Sequence, residues 1–188
     1  MLLFAPAPSR AIFKLPEAEA YDVFLAGGLS AIELRSFLDR ELPEWLDQLD
    51  PVIAPAVRSA GSLSALDYLA RVARLADLAR AAAARLDTVD VIASPTLCLT
   101  PPLMSEVADA DSHLRINRRI VRNTGWVNYL GLCAITMPVG RDRAGMPVGL
   151  QLTAPAGAEE KLLTIALAVE RLLGTRADRL GTPPLLAA

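Results

Sequence analysis

Apolar residues recur at helical spacing across residues 64–86. Leu66, Leu69, Val72, Ala73, Ala76, Ala79, Ala83 and Leu86 mark one stripe, and Leu75 and Leu78 widen it. Arg71, Arg74, Arg80 and Arg85 lie mostly off that stripe. Ser64-Ala65-Leu66-Asp67 reads as the helix cap, with Asp77 a surface charge. Helical patterns also cover 17–25, closed by Gly27-Gly28, and 30–39, with Ile32, Leu34, Phe37 and Leu38 inward. Ser30-Ala31-Ile32-Glu33 has the capping-box form. Pro43, Pro51 and Pro55 interrupt the next segment, leaving a short helical turn over 44–49.

The period then changes. Residues 89–96 read as a short buried strand ended by Pro95, with 134–139 and 148–153 as two further strands. The connection 140–147 contains Gly140, Asp142 and Gly145 and is of hairpin type. Residues 97–114 read as loop, 114–129 as a helix, and 158–173 as a last helix with Leu162, Ile165, Val169, Leu172 and Leu173 inward. A proline-containing start (1–16) and a Gly/Pro-containing tail (174–188) flank these elements. Three strands and about five helices imply an α/β fold. The strands read as apolar on both faces, which predicts a sheet with helices on both faces. Its edges need a partner or a cover.

Composition narrows the function. The 188 residues are 53% hydrophobic and 21% charged, which is a globular chain. A formal charge of −2 offers phosphates no basic field, so a nucleic-acid role is not expected. Of the 19 basic residues 17 are arginines, the lysines being Lys14 and Lys161. Cys98 and Cys133 lie in apolar stretches and read as buried free thiols of a reducing, cytoplasmic compartment. With a single histidine they make no zinc site, so no metal is expected. The apolar start lacks the basic flank of a signal peptide, and no run approaches the ~20 residues that span a bilayer.

Several patterns invite a chemical reading. Gly61-Ser62-Leu63-Ser64 sits directly before the long helix, where capping and turn formation account for it. Asp111-Ser112-His113 holds the three residue types of a hydrolytic triad, but adjacent residues project in different directions. Arg115, Arg118, Arg119 and Arg122 form a basic helix face, either solvated or built to bind a carboxylate-bearing substrate. Gly145-Met146-Pro147-Val148-Gly149 suits a tight turn entering a strand rather than a phosphate cradle.

Four segments in order resemble the C-terminal part of the amidase signature family. Asp90-Val91-Ile92-Ala93-Ser94-Pro95-Thr96 resembles that family's strand ending in Pro-Thr. The run from Asn128 through Gly131-Leu132-Cys133-Ala134 to Pro138-Val139-Gly140 resembles its helix-to-strand element, with Cys133 where a proline is usual. Gly145-Met146-Pro147-Val148-Gly149-Leu150-Gln151 resembles its next strand, and Glu159, Leu162 and Leu163 fit the opening of its last helix. Leu63-Ser64-Ala65-Leu66-Asp67-Tyr68 is similar to an upstream family helix start. The likeness covers roughly residues 20–175 and is strongest over 63–173.

The resemblance implies an amidase-signature-type core with a mixed sheet. Residues 1–188 would form the C-terminal portion of a single amidase-like domain. It implies hydrolysis of small-molecule carboxamides, without metal or other cofactor, by two serines and a lysine. Those groups belong to a Gly/Ser-rich N-terminal segment with no counterpart in this sequence, which has no Ser-Ser pair. Lys14 and Lys161 do not match the family lysine, so no catalytic residue carries over. Arg122, Thr124, Trp126 and Asn128 are the candidate substrate-binding residues. Asn128 also reads as a structural amide at the helix-to-strand turn. Two functions stay open: part of an amidase that associates with an N-terminal half or with itself, or a stand-alone noncatalytic binding domain.

Overall fold

A computed structural model describes residues 17–181. The start and the last residues, including Lys14, lie outside the described residues. The chain forms α1 (Glu17–Leu25), α2 (Ser30–Glu41), α3 (Ala54–Ala60), α4 (Ala65–Leu86), β1 (Ile92–Pro95), α5 (Ala110–Ile120), α6 (Arg122–Tyr129), β2 (Cys133–Arg141), β3 (Pro147–Ala154), α7 (Glu159–Leu173) and α8 (Arg176–Leu180). Short 3-10 turns cover Pro43–Asp47 and Met104–Val107.

The sheet has the order β1-β3-β2. β3 pairs antiparallel with both neighbours, so β1 and β2 run the same way with β3 opposed between them. The fold is α/β, as the sequence implies; over these three strands both pairings of the expected mixed sheet are antiparallel. β2 and β3 form the expected hairpin, with a bulge between Pro138 and Gly140. Asp142 holds its turn: Oδ1 accepts from the amides of Ala144 (2.8 Å) and Met146 (2.9 Å). Oδ2 accepts from the Thr100 hydroxyl at 2.7 Å, which ties the loop after β1 to the hairpin.

The strands are not apolar on both faces. Leu150, Leu152 and Ala154 of β3 stand beside Met137, Ile135 and Cys133 of β2, and this face packs on Leu162 and Ala166 of α7. Of the intervening residues on the opposite face, Gln151 lies beside Ser94 and Thr136, and Thr153 beside Ile92 and Ala134. Period-two alternation therefore separates an apolar face from a polar one. α6 approaches the polar face, so helices do flank both sides.

A second core joins α1, α4 and α6 through Ala20, Leu75, Leu78, Ala82, Leu86, Trp126, Val127 and Leu130. Here the expected stripe is corrected. α4 buries Leu75, Leu78, Ala82 and Leu86, while Leu66 and Leu69 are 79% and 59% exposed. α4 carries apolar residues on two sides, and the described residues supply a partner for one. Leu172, expected inward on α7, is likewise exposed, with Leu163 and Leu167.

Other boundaries differ for local reasons. Ser64 caps α4 as expected, accepting from the Asp67 amide. Ser30 does not cap α2: the helix starts one residue earlier, at an N-cap of Leu29, and Glu33 accepts from the Tyr68 hydroxyl instead. Pro55 does not prevent α3, because it sits in the first turn, where no intrahelical N–H is needed. The expected helix 114–129 begins earlier, capped by Asp109, and breaks at Val121. Thr175 and Asp178 form a capping box that makes α8 out of the expected tail. Cys98 is exposed and Cys133 half-buried, so neither is the buried thiol expected. Gly28 is required: its φ is +59°, and a Cβ there would strike the Tyr129 hydroxyl.

Two measurements check this packing. Leu86→Ala should lower unfolding free energy by about 2–5 kcal/mol in urea titration, whereas Leu66→Ala should change it by no more than ~0.5 kcal/mol. Thr100's hydroxyl and the Met146 and Ala144 amides hold the Asp142 carboxyl below the usual carboxylate range. That stabilisation is complete above the unfolded pKa and is lost as pH falls through the folded one. Thr100→Val should raise the Asp142 pKa measured by NMR titration; an unchanged value contradicts the assigned bond.

Candidate functional site

The polar sheet face is organised around Gln151. Its side chain is buried, and Nε2 donates to the backbone carbonyl of Asn123 at 2.9 Å. Asn123 Nδ2 in turn donates to the carbonyl of Pro95 at 2.8 Å. These two bonds fasten the first turn of α6 to β3 and β1. Thr96 continues β1 along β3, its amide donating to the Gly149 carbonyl at 2.9 Å. The hydroxyls of Thr96 and Thr136 hydrogen-bond to each other. A Cβ at Gly149 would collide with the Thr96 side chain, so only glycine permits this closeness.

Beside this anchor lies a cavity of about 1010 Å³ between α1, β1 and the α5–α6 junction. Glu17 and Asp22 line it from α1, Ser94 from β1, and Arg119, Arg122 and Trp126 from the junction. Tyr21 steadies the α1 wall, its hydroxyl donating to the Arg118 carbonyl at 2.7 Å. Cys98 Sγ donates to the Arg119 carbonyl at 2.9 Å and holds the loop after β1 against α5. Ser94 Oγ and Glu17 Oε2 are closed off from solvent with no hydrogen-bond partner among the described residues. A buried polar group in that condition costs about 1–3 kcal/mol unless something pairs with it.

The cavity brings together two of the four candidate residues, Arg122 and Trp126. Thr124 does not line it; its hydroxyl turns back to the Val121 carbonyl at 3.5 Å. Asn128 is exposed and does not line it either. Residues 122 and 126 share one side of α6, and 124 and 128 lie roughly 200° around the helix. Arg119, from the basic helix face, reaches the cavity, as do Ser94 and Asn123. Asn123 was legible as the neighbour of Arg122, and Gln151 as the polar residue of an otherwise apolar strand pattern. The triad-like residues do other work. Ser112 is buried at the α5 cap, where its hydroxyl donates to Asp109 at 2.7 Å and holds that carboxyl below its usual pKa range. Ser62 Oγ donates to the Ser59 carbonyl at 2.7 Å at the end of α3.

Residues 35–163 match the amidase family as a whole. The chain belongs to the amidase family. It is 42% identical over 174 residues to the 2-amino-5-chloromuconic acid deaminase of Comamonas testosteroni, covering 92% of this chain and 38% of that protein. It is 38% identical over 114 residues to a fatty acid amide hydrolase of Oryza sativa subsp. indica, covering 60% of this chain and 19% of the relative. A crystal structure of an amidase superposes with a TM-score of 0.71 at 27% identity, over 86% of this chain and 37% of that one. The amidase match supports the family reading of the β1, β2 and β3 motifs. The chain spans well under half the length of these relatives. No helix among the described residues is long and apolar enough to cross a membrane.

Gln151→Leu tests the anchor. It removes the donor that satisfies the Asn123 carbonyl and should destabilise by about 1–3 kcal/mol. Amide exchange should quicken in the first turn of α6 while α4 is unaffected. Equal exchange in α6 would show that Gln151 does not hold it.

Proposed function

We propose that this chain is the C-terminal portion of a single amidase-like domain and that it works as one part of a cytoplasmic hydrolase of small-molecule amides. The observation that carries this reading is the family match over residues 35–163, in a chain covering 38% of its deaminase relative. The reaction would break the amide C–N bond, with the oxygen of water going to the acyl carbon and a proton to the departing nitrogen. The two serines and the lysine that drive this by family resemblance would come from an N-terminal portion. This chain would supply the sheet and one wall of the substrate pocket. Arg122, Thr124, Trp126 and Asn128 are the proposed substrate-facing residues, with Arg122 and Trp126 in the cavity. The Comamonas relative is a deaminase of an amino-substituted dicarboxylic acid by its name, which favours a carboxylate-bearing substrate here too.

Exposed apolar surface supports association with such a portion. Leu66 and Leu69 on α4, and Leu163, Leu167 and Leu172 on α7, are each exposed. β2 is an edge strand in this sheet. Folded monomers seldom leave large contiguous apolar patches open. Self-association is the other way to cover them. A stand-alone noncatalytic binding domain is the second reading, favoured by the serines and acids being spent on capping and turns.

The purified chain should release no ammonia from a panel of aliphatic and aryl amides, because losing the nucleophile alone can cost ~10⁶-fold in rate. Co-expression with the N-terminal portion of the Comamonas relative should restore turnover and solubility. Turnover by the chain alone, abolished in Ser62→Ala or His113→Ala, would overturn this reading. A clean monomer with a sharp melt unchanged by the added portion would favour the binding domain.

A further inference from the structure

The α1–β1–α6 cavity carries charges that the described residues do not pair. Arg119 and Arg122 line it and make no ion pair among the described residues. Arg119 and Arg122 lie three residues apart across the break at Val121, one ending α5 and the other opening α6.

The same cavity carries the opposite charge: Glu17 and Asp22 line it from α1. Neither acid is bridged to Arg119 or Arg122 among the described residues. Trp126, Ile92, Val91 and Ser94 complete the lining. A pocket of several hundred Å³ with an apolar middle and few polar groups is the usual form of a small-molecule site. A purely anionic ligand would leave Glu17 unpaired. A neutral one would leave both guanidinium groups unpaired.

We propose that this cavity binds a small amino- or amido-carboxylate, with Arg119 and Arg122 holding its carboxylate, Glu17 accepting from its nitrogen end, and Trp126 flanking its carbon chain. Planar guanidinium groups suit this task, since each can give two parallel N–H bonds to one carboxylate. The binding claim stands on the cavity itself. Calling the ligand the substrate rests on the function proposed above.

The test is binding, not turnover. Adipamate, which carries a carboxylate and a terminal amide, is titrated into the 188-residue chain by NMR beside adipamide, which has no charge. A thermal melt first shows each variant to be folded. Adipamate should bind about tenfold tighter or more, the scale of charge-assisted hydrogen bonds. Arg119→Gln and Arg122→Gln should each abolish most of that preference, and Glu17→Gln should weaken adipamate more than hexanoate. Arg115→Gln and Arg118→Gln are on the same basic face but outside the cavity lining, and should change nothing. A folded chain that binds adipamate no better than adipamide, or whose preference survives both cavity substitutions, overturns the proposal. Turnover of neutral amides by the reconstituted pair without any carboxylate preference would defeat this site and leave the amidase reading intact. Carboxylate binding without turnover would do the reverse.

Discussion

β3 is paired on both sides, and the strict alternation of its side chains sets the rest of the structure. One set, Leu150, Leu152 and Ala154, joins β2 residues against α7 and makes an apolar layer. The other set, Gln151 and Thr153, turns a polar surface towards α6. A shift of one residue in register would exchange the two faces. The position of α6, and with it that of Arg122 and Trp126, depends on Gln151 pointing to that second side.

The architecture is uneven in how it is covered. Two small cores close well, one around Leu86 and Trp126 and one around Leu152 and Leu162. Outside them α4 and α7 each present a second apolar side, and β2 is an edge along much of its length. α8 covers the far end of that edge: Arg179 donates to the Val139 carbonyl and Arg141 to the Leu180 carbonyl. The same unevenness explains the cavity, whose α1 and α6 walls are fixed by the first core while its charges have no ion-pair partner among the described residues. A surface of this kind fits a chain whose match covers 38% of its deaminase relative.

Much of this was legible in the sequence where one signal dominated. The long run of α4, the hairpin turn at Asp142 and the last helix all carry a single period or a single turn signature. Legibility failed where two signals overlapped. α4 has apolar residues on two sides, so periodicity located the helix but put Leu66 and Leu69 in one stripe with Leu75, Leu78 and Leu86, and only the last three are buried. Pro55 reads as a breaker unless its place in a first turn is known. The break at Val121 has no proline or glycine to mark it. The four candidate residues divide by their place on α6: Arg122 and Trp126 line the cavity, while Thr124 and Asn128 lie on another side of the helix. Ser94, Asn123 and Gln151 come together through strand register, which no local pattern reveals.

Hydrogen exchange on the 188-residue chain, alone and with the N-terminal portion of the Comamonas relative, tests the central claim most directly. In an antiparallel edge strand alternate amides point away from the paired neighbour. If another part of an amidase domain completes this fold, the outward amides of β2 between residues 133 and 138 should gain protection in the pair. The amides of α4 near Leu66 and Leu69 should slow with them. Unchanged exchange in both places, with each polypeptide folded, would contradict the account.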